Sequence, residues 1–270
     1  MSSDKAFISF PSGYLGSQPV RFPLLVNDDR IFAVNKPSGI ASAQHDWTLG
    51  TPDISMALRR ELINEKPQLA RLGIEGLYRI YNLDAELSGV LLFAKNERYE
   101  ELLKNAAGSD QLVFRFHLLV YTETNERTFA CDLPLARHFT ERRMIVSHKT
   151  GKKCETRFRF LRPYGRYQLW EAETTTLRVH QVRVHAAERG LQVVGESLYS
   201  RGDQVYLSRL KRDYQSDGER EKPIYRGLCV HLVEVAFQGL EESFEPIAAP
   251  LPSRFGTLLK RLDEFRSRRG

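Results

Sequence analysis

The chain has 270 residues, 41% hydrophobic and 27% charged, with a formal net charge of +6 and a pI of about 9.2. That balance is ordinary for a soluble globular protein able to bury a full core. The modest basic excess favours a polyanionic partner over an acidic protein or a membrane surface. Cys131, Cys154 and Cys229 are odd in number and far apart. They suggest neither a disulfide framework nor a zinc cage, and they suit a reducing cytoplasm. Met1–Ala6 has no basic stretch leading into an apolar one, and no apolar run approaches the length of a membrane span.

In chain order, residues 1–22 are rich in Gly, Ser and Pro and read as an N-terminal arm. Arg30–Val34 reads as a strand, ended by the turn Asn35-Lys36-Pro37-Ser38-Gly39, which presents Lys36. Residues 53–70 show helical spacing in Ile54, Met56, Leu58, Leu62 and Ile63. Ser88-Gly89 marks a turn before the apolar run Val90–Ala94, which has the composition of a buried strand. Asp84 stands just ahead of it. There a carboxylate is placed either to cap the turn or to meet a substrate as nucleophile or base. A short helix is expected over 97–105.

From Leu112 onward the chain becomes β-rich. Strands are expected over 113–120, 154–161, 167–175 and 227–237, with the alternation Thr156-Arg157-Phe158-Arg159-Phe160 in the second. Val179–Arg189 reads as a helix closed by Gly190. The mixed-charge stretch Arg209–Lys222 reads as a solvated loop. Gly256–Arg268 reads as a charged amphipathic helix. Nothing in the composition marks a linker between two folds.

Leu177–His185 carries Arg178, His180, Arg183 and His185 interleaved with apolar residues. The interleaving argues for partial burial, and a partly buried arginine needs an anion. His180 and His185 are five apart, which is not the spacing of a helical metal pair.

Taken together, these segments resemble the RluA-type RNA pseudouridine synthases. Val34–Gly39 is similar to the family's NKP-x-G turn. Asn82–Gly89 resembles the R-L-D-x-x-T-S-G signature that holds the catalytic aspartate. Phe114–Val120 resembles its K-x-Y-x-A-L-V strand, Arg178–His185 its R-x-H-Q-I-R-V-H helix, and Gly195–Tyr199 its G-D-x-x-Y-G segment. The segments stand in the family's order. The likeness runs from about residue 23 to 260, through Cys229-Val230-His231 and Phe244–Pro252. This sequence departs from the pattern at Asn82 for arginine, Leu87 for threonine, Phe116 for tyrosine, Leu177 for glycine and Glu196 for aspartate.

The resemblance implies an α+β fold: a mostly antiparallel mixed sheet with flanking helices and a central basic cleft. It implies a catalytic domain over residues 23–260, preceded by the arm 1–22 and followed by a helix end or tail at 261–270. The arm is too short for the small S4-type domain that many relatives carry. The implied activity is isomerisation of specific uridines in structured ribosomal or transfer RNA, by a cytoplasmic monomer that needs no cofactor or metal. The resemblance also implies roles for particular residues. Asp84 is the catalytic carboxylate, Arg183 its partner, and Phe116 the ring that stacks on the target base. Asn82 takes the place of the arginine that fills the space left by a flipped base. Lys36, Arg178 and His180 contact RNA phosphate or sugar. The degenerate positions leave a second reading, an RNA-binding or RNA-folding protein on a synthase scaffold with impaired catalysis.

Overall fold

The two apolar runs flanking the Asn35–Gly39 turn and the Asp84 segment pair with each other, and they set the frame of the candidate site. The structure is a computed structural model describing residues 6–65, 67–211, 214 and 221–267. In chain order the first elements are β1 (Phe7–Phe10), β2 (Val20–Asn27), β3 (Ile31–Lys36), α1 (Ile54–Ile63), α2 (Pro67–Arg71), β4 (Tyr78–Arg79), β5 (Ser88–Ala94), α3 (Glu97–Gly108) and β6 (Leu112–Tyr121). There follow β7 (Thr128–Cys131), β8 (Leu135–Arg137), β9 (Met144–Val146), β10 (Thr156–Tyr164), β11 (Tyr167–Thr174), α4 (Gln181–Glu188), β12 (Gln192–Val193), β13 (Val230–Phe237), β14 (Ile247–Ala248) and α5 (Ser253–Ser267). The fold is α+β.

These elements form two compact units. The first comprises Met1–Phe114, Thr175–Val179 and Leu232–Pro250, and the second Arg115–Thr174, His180–His231 and Leu251–Gly270. The boundaries fall inside β6 and β13 rather than in a linker, which is why composition gives no sign of them.

In the first unit the strands neighbour one another in the order β1-β2-β3-β5-β13. β3 and β5 pair antiparallel from Ile31↔Ala94 to Lys36↔Gly89. Every residue of β5 is buried, as expected of an apolar strand covered on both faces. Phe32 and Phe93 are cross-strand partners and stack with centroids 4.8 Å apart. Gly89 has φ of 129°, and a Cβ there would lie 2.2 Å from the Leu232 carbonyl oxygen. Only glycine fits so close an approach.

Two sequence expectations are corrected in this unit. The arm expected over 1–22 contains β1, which pairs with β2 and buries Ile8 and Phe10. Its apolar run is short and hidden among Gly, Ser and Pro. The helix expected over 53–70 is two helices, because Glu65 takes φ of 50° and Pro67 opens α2. Proline cannot continue the preceding hydrogen-bond ladder but suits a first helical position. α1 itself begins where Asp53 caps it, accepting the Met56 N–H at 2.7 Å.

In the second unit the order is β6-β11-β10-β7, with β12 on β6 and a separate β8–β9 hairpin. β10 pairs antiparallel with both β11 and β7. One core cluster joins Tyr167 and Leu169 of β11, Leu119 of β6, Tyr225, and Phe255, Leu258, Leu259 and Leu262 of α5. The helix end expected as a tail at 261–270 therefore still delivers Leu262 to a core. Of the loop expected over 209–222, residues 212–213 and 215–220 lie outside the described residues.

Candidate active site

Asp84 is half-buried and is followed by a turn at Ala85–Glu86, closed by the Leu87 N–H donating to the Asp84 carbonyl at 3.2 Å. The segment is fixed from two sides by groups distant in sequence. Ser42 is buried, and its hydroxyl donates to the Leu83 carbonyl at 2.6 Å while accepting the Leu83 N–H at 2.9 Å. The turn after β3 docks against the same loop: the Gly39 N–H donates to Ala85 O at 2.7 Å and Ser38 Oγ donates to Glu86 O at 2.6 Å.

Lys36 completes this support from beneath. Its side chain is fully buried, and Nζ donates to the carbonyls of Leu87 at 2.6 Å, Ile40 at 2.7 Å, Pro37 at 3.0 Å and Ala85 at 3.3 Å. One side-chain nitrogen thus ties the turn after β3 to the Asp84 loop. Burial pulls the Lys36 pKa down to about 7, while the nearby carboxylates of Asp84 and Glu86 favour the charged form. A buried Nζ surrounded by carbonyls cannot reach an RNA phosphate. The expectation that Lys36 contacts RNA is corrected to a role in holding the Asp84 loop. The loop's carbonyls need a donor, and the lysine stem is long enough to bring one through the core.

In the second unit α4 presents Arg183, which has a carboxylate partner in the same unit. Glu196 accepts from Arg183 Nε at 2.7 Å and from Nη2 at 3.1 Å, with both side chains almost wholly buried. The paired planes of guanidinium and carboxylate make this the strong bidentate form. The Leu198 N–H donates to the same carboxylate at 2.8 Å. The Arg183 guanidinium also lies over the Tyr199 ring, 5.3 Å from its centroid. The Tyr199 hydroxyl is 2.6 Å from His180 Nδ1 and accepts the Met144 N–H at 2.8 Å. The motif likeness assigns Arg183 to Asp84 and marks Glu196 only as a departure, although a partly buried arginine with Gly195-Glu196 close downstream is a usable signal for this pair.

The remaining expected site residues divide by exposure. His180 is buried, engaged with Tyr199, and takes the left-handed conformation at φ 55° as the N-cap of α4. It is a structural histidine rather than an RNA contact, and it starts the helix two residues later than expected. Phe116 is fully buried on β6. Stacking on a base requires an exposed ring face, which Phe116 does not offer, so that expectation is also corrected. Asn82 is exposed and Arg178 half-buried, so both keep surface that RNA can meet. Asn82, Asp84, Lys36 and Arg178 belong to the first unit, and Phe116, His180 and Arg183 to the second. The sequence gave no sign of Ser42, whose partner Leu83 lies far along the chain. Among the described residues, no group of three or more His, Cys, Asp or Glu side chains is placed to hold a metal, and no helix is long and apolar enough to cross a membrane.

The sequence model of the RNA pseudouridylate synthase family matches residues 30–188, which contain Lys36, Asp84 and Arg183. The chain is 28% identical over 182 residues to the ribosomal large subunit pseudouridine synthase D of Xylella fastidiosa, covering 67% of this chain and 53% of that one. It is 25% identical over 254 residues to an uncharacterised RNA pseudouridine synthase of Bacillus subtilis, covering 91% and 74%. The match thus spans about half the length of several curated relatives. Among solved structures, human RNA pseudouridylate synthase domain containing 4 superposes with a TM-score of 0.65 at 20% identity, over 88% of this chain and 92% of that one. That likeness speaks for the fold. By the extent of the family match, this chain belongs to the RNA pseudouridylate synthase family.

Proposed function

We propose that this protein isomerises uridine to pseudouridine in structured RNA, with Asp84 as the reacting carboxylate. The observation that supports this best is the construction of the Asp84 loop. A half-buried carboxylate stands on a turn whose backbone is fixed by Ser42 at Leu83 and by Lys36 Nζ at Ala85 and Leu87. A site built on such supports holds its reacting group in place without reorganisation. In the reaction the N1–C1′ bond of the uridine breaks and a C5–C1′ bond forms. The proton on C5 is lost and N1 gains one, so atoms and charge balance. The carboxylate serves either as nucleophile at C1′ or as the base that takes a sugar proton. Arg183 carries over into the reading by its motif match alone.

The target nucleotide must leave its stack, at a cost of a few kcal/mol. Asn82 is exposed beside Asp84, but it is shorter than the arginine at that motif position and uncharged. Its reduced filling of the vacated space favours substrates whose target uridine already lies in a loose loop. The name of the Xylella relative supports ribosomal RNA as the first substrate to test, with transfer RNA second. A cytoplasmic monomer working without cofactor or metal is part of the same reading.

The buried Phe116 and the exposed Asn82 favour one alternative, an RNA-binding protein on the same scaffold whose catalysis has decayed. Mapping pseudouridines across cellular RNA with and without the gene separates the two. Loss of one or a few defined pseudouridines, restored by the wild-type gene, supports the synthase. An unchanged map with retained RNA binding supports the alternative.

A further inference from the structure

The second unit contains a cavity of about 110 Å³ that plays no part in holding Arg183 or Asp84. Three arginines line it, Arg166, Arg201 and Arg209, with Tyr121, Tyr167 and a single carboxylate, Asp203. Asp203 is taken by Arg209 at 2.9 Å. Arg166 is held against two rings, 4.9 Å from the Tyr121 centroid and 5.8 Å from that of Tyr167. The lining charge is therefore three guanidiniums against one carboxylate. Positive side chains spread over a surface ordinarily avoid one another, so their convergence on a small concavity calls for an anion. Guanidinium groups favour phosphate through paired N–H donors. Pockets for nucleoside-sized ligands run to roughly 300–1,000 Å³. This one suits a phosphate group and excludes a whole nucleoside.

We propose that this cavity grips a phosphodiester of the bound RNA. The proposal rests on the RNA-directed reading above and adds a contact point to it. The cavity also connects to the Arg183 assembly through one loop. Gly202, at its rim, donates its N–H to the Glu196 carbonyl at 2.9 Å and accepts that of Gly195 at 2.7 Å. A Cβ on Gly202 would lie 1.7 Å from the Val193 carbonyl oxygen, so the loop is tightly seated. The loop that carries Arg201 and Asp203 is thus the loop that carries the carboxylate of Glu196.

The test measures binding of a fluorescein-labelled RNA stem-loop over a range of salt. Arg166→Gln with Arg201→Gln is expected to weaken binding roughly tenfold and to reduce the salt slope by about one. Asp203→Asn removes the competing carboxylate and is expected to tighten binding severalfold. Should the double variant fail to fold, Asp203→Asn decides, and unchanged or weaker binding there overturns the proposal. Unchanged affinity and slope in a folded double variant also overturn it. Inorganic phosphate separates the sources: if it raises the wild-type melting temperature while the double variant keeps full RNA affinity, the cavity takes free phosphate and the RNA assignment falls. A protein without synthase activity whose RNA binding still responds to these substitutions would retract the enzymatic reading and leave this site standing.

Discussion

Replacing Lys36 by methionine would leave the carbonyls of Pro37, Ile40, Ala85 and Leu87 facing a thioether. Leaving a buried acceptor unsatisfied costs about 1–3 kcal/mol, so Lys36→Met should lower unfolding stability in urea by about 2 kcal/mol. It should also reduce turnover by loosening the Asp84 loop, while RNA affinity stays near wild type. A variant of full stability with weakened RNA binding would instead return Lys36 to the phosphate-contact role. The titration adds a second readout. The folded Lys36 pKa is about 7 against an ordinary 10.5, so between those values the unfolded chain holds more protons than the folded one. Stability contributed by this group is therefore complete above about 10.5 and is lost as pH falls towards 7. Wild type should gain stability over Lys36→Met as pH rises from 7 to 10, and parallel pH profiles for the two would contradict this. At this scale the half-buried position of Asp84 ahead of β5 was legible from the turn signal and apolar run that follow it. The burial of Lys36 was not, since an Asn-Lys-Pro turn reads as solvated and two of its four acceptors come from the distant Asp84 loop.

Among the elements, α4 and the loop 195–202 act together through Arg183 and Glu196. Removing one partner of a buried pair strands the other, at roughly 3–5 kcal/mol. Glu196→Gln should show a loss of that order in chemical denaturation, and Glu196→Asp a smaller one, because the side chain one methylene shorter keeps the charge but reaches less far towards the guanidinium. A loss within about 0.5 kcal/mol, the range of ordinary surface substitutions, would show that the pair does not fix α4. β3, β5, β6, β10 and β11 were legible from apolar runs or alternation. β7, β8, β9, β12 and β14 have only two to four residues each and carry too little pattern to read. The break between α1 and α2 was written in Pro67, and the helical spacing on either side of it obscured the signal.

For the whole molecule, the apolar face of α5 ties the C-terminal segment to the second unit. Phe255 and Leu258 are fully buried, with Leu259 and Leu262 nearly so. Phe255→Ala should destabilise the protein by roughly 3–5 kcal/mol, read from thermal or urea unfolding, and a near-neutral result would mean that α5 is dispensable. The α+β class and the family were legible because motif order survives changes at single positions. The two-unit organisation was not, because its boundaries run through strands. The central claim is that the Asp84 carboxylate performs the chemistry, and it is tested most directly by tritium release from RNA labelled at uridine C5 and prepared from cells lacking the gene. Wild type should release the label, and Asp84→Asn, folded and still binding RNA, should release none above background. Release by Asp84→Asn at the wild-type rate would contradict the account.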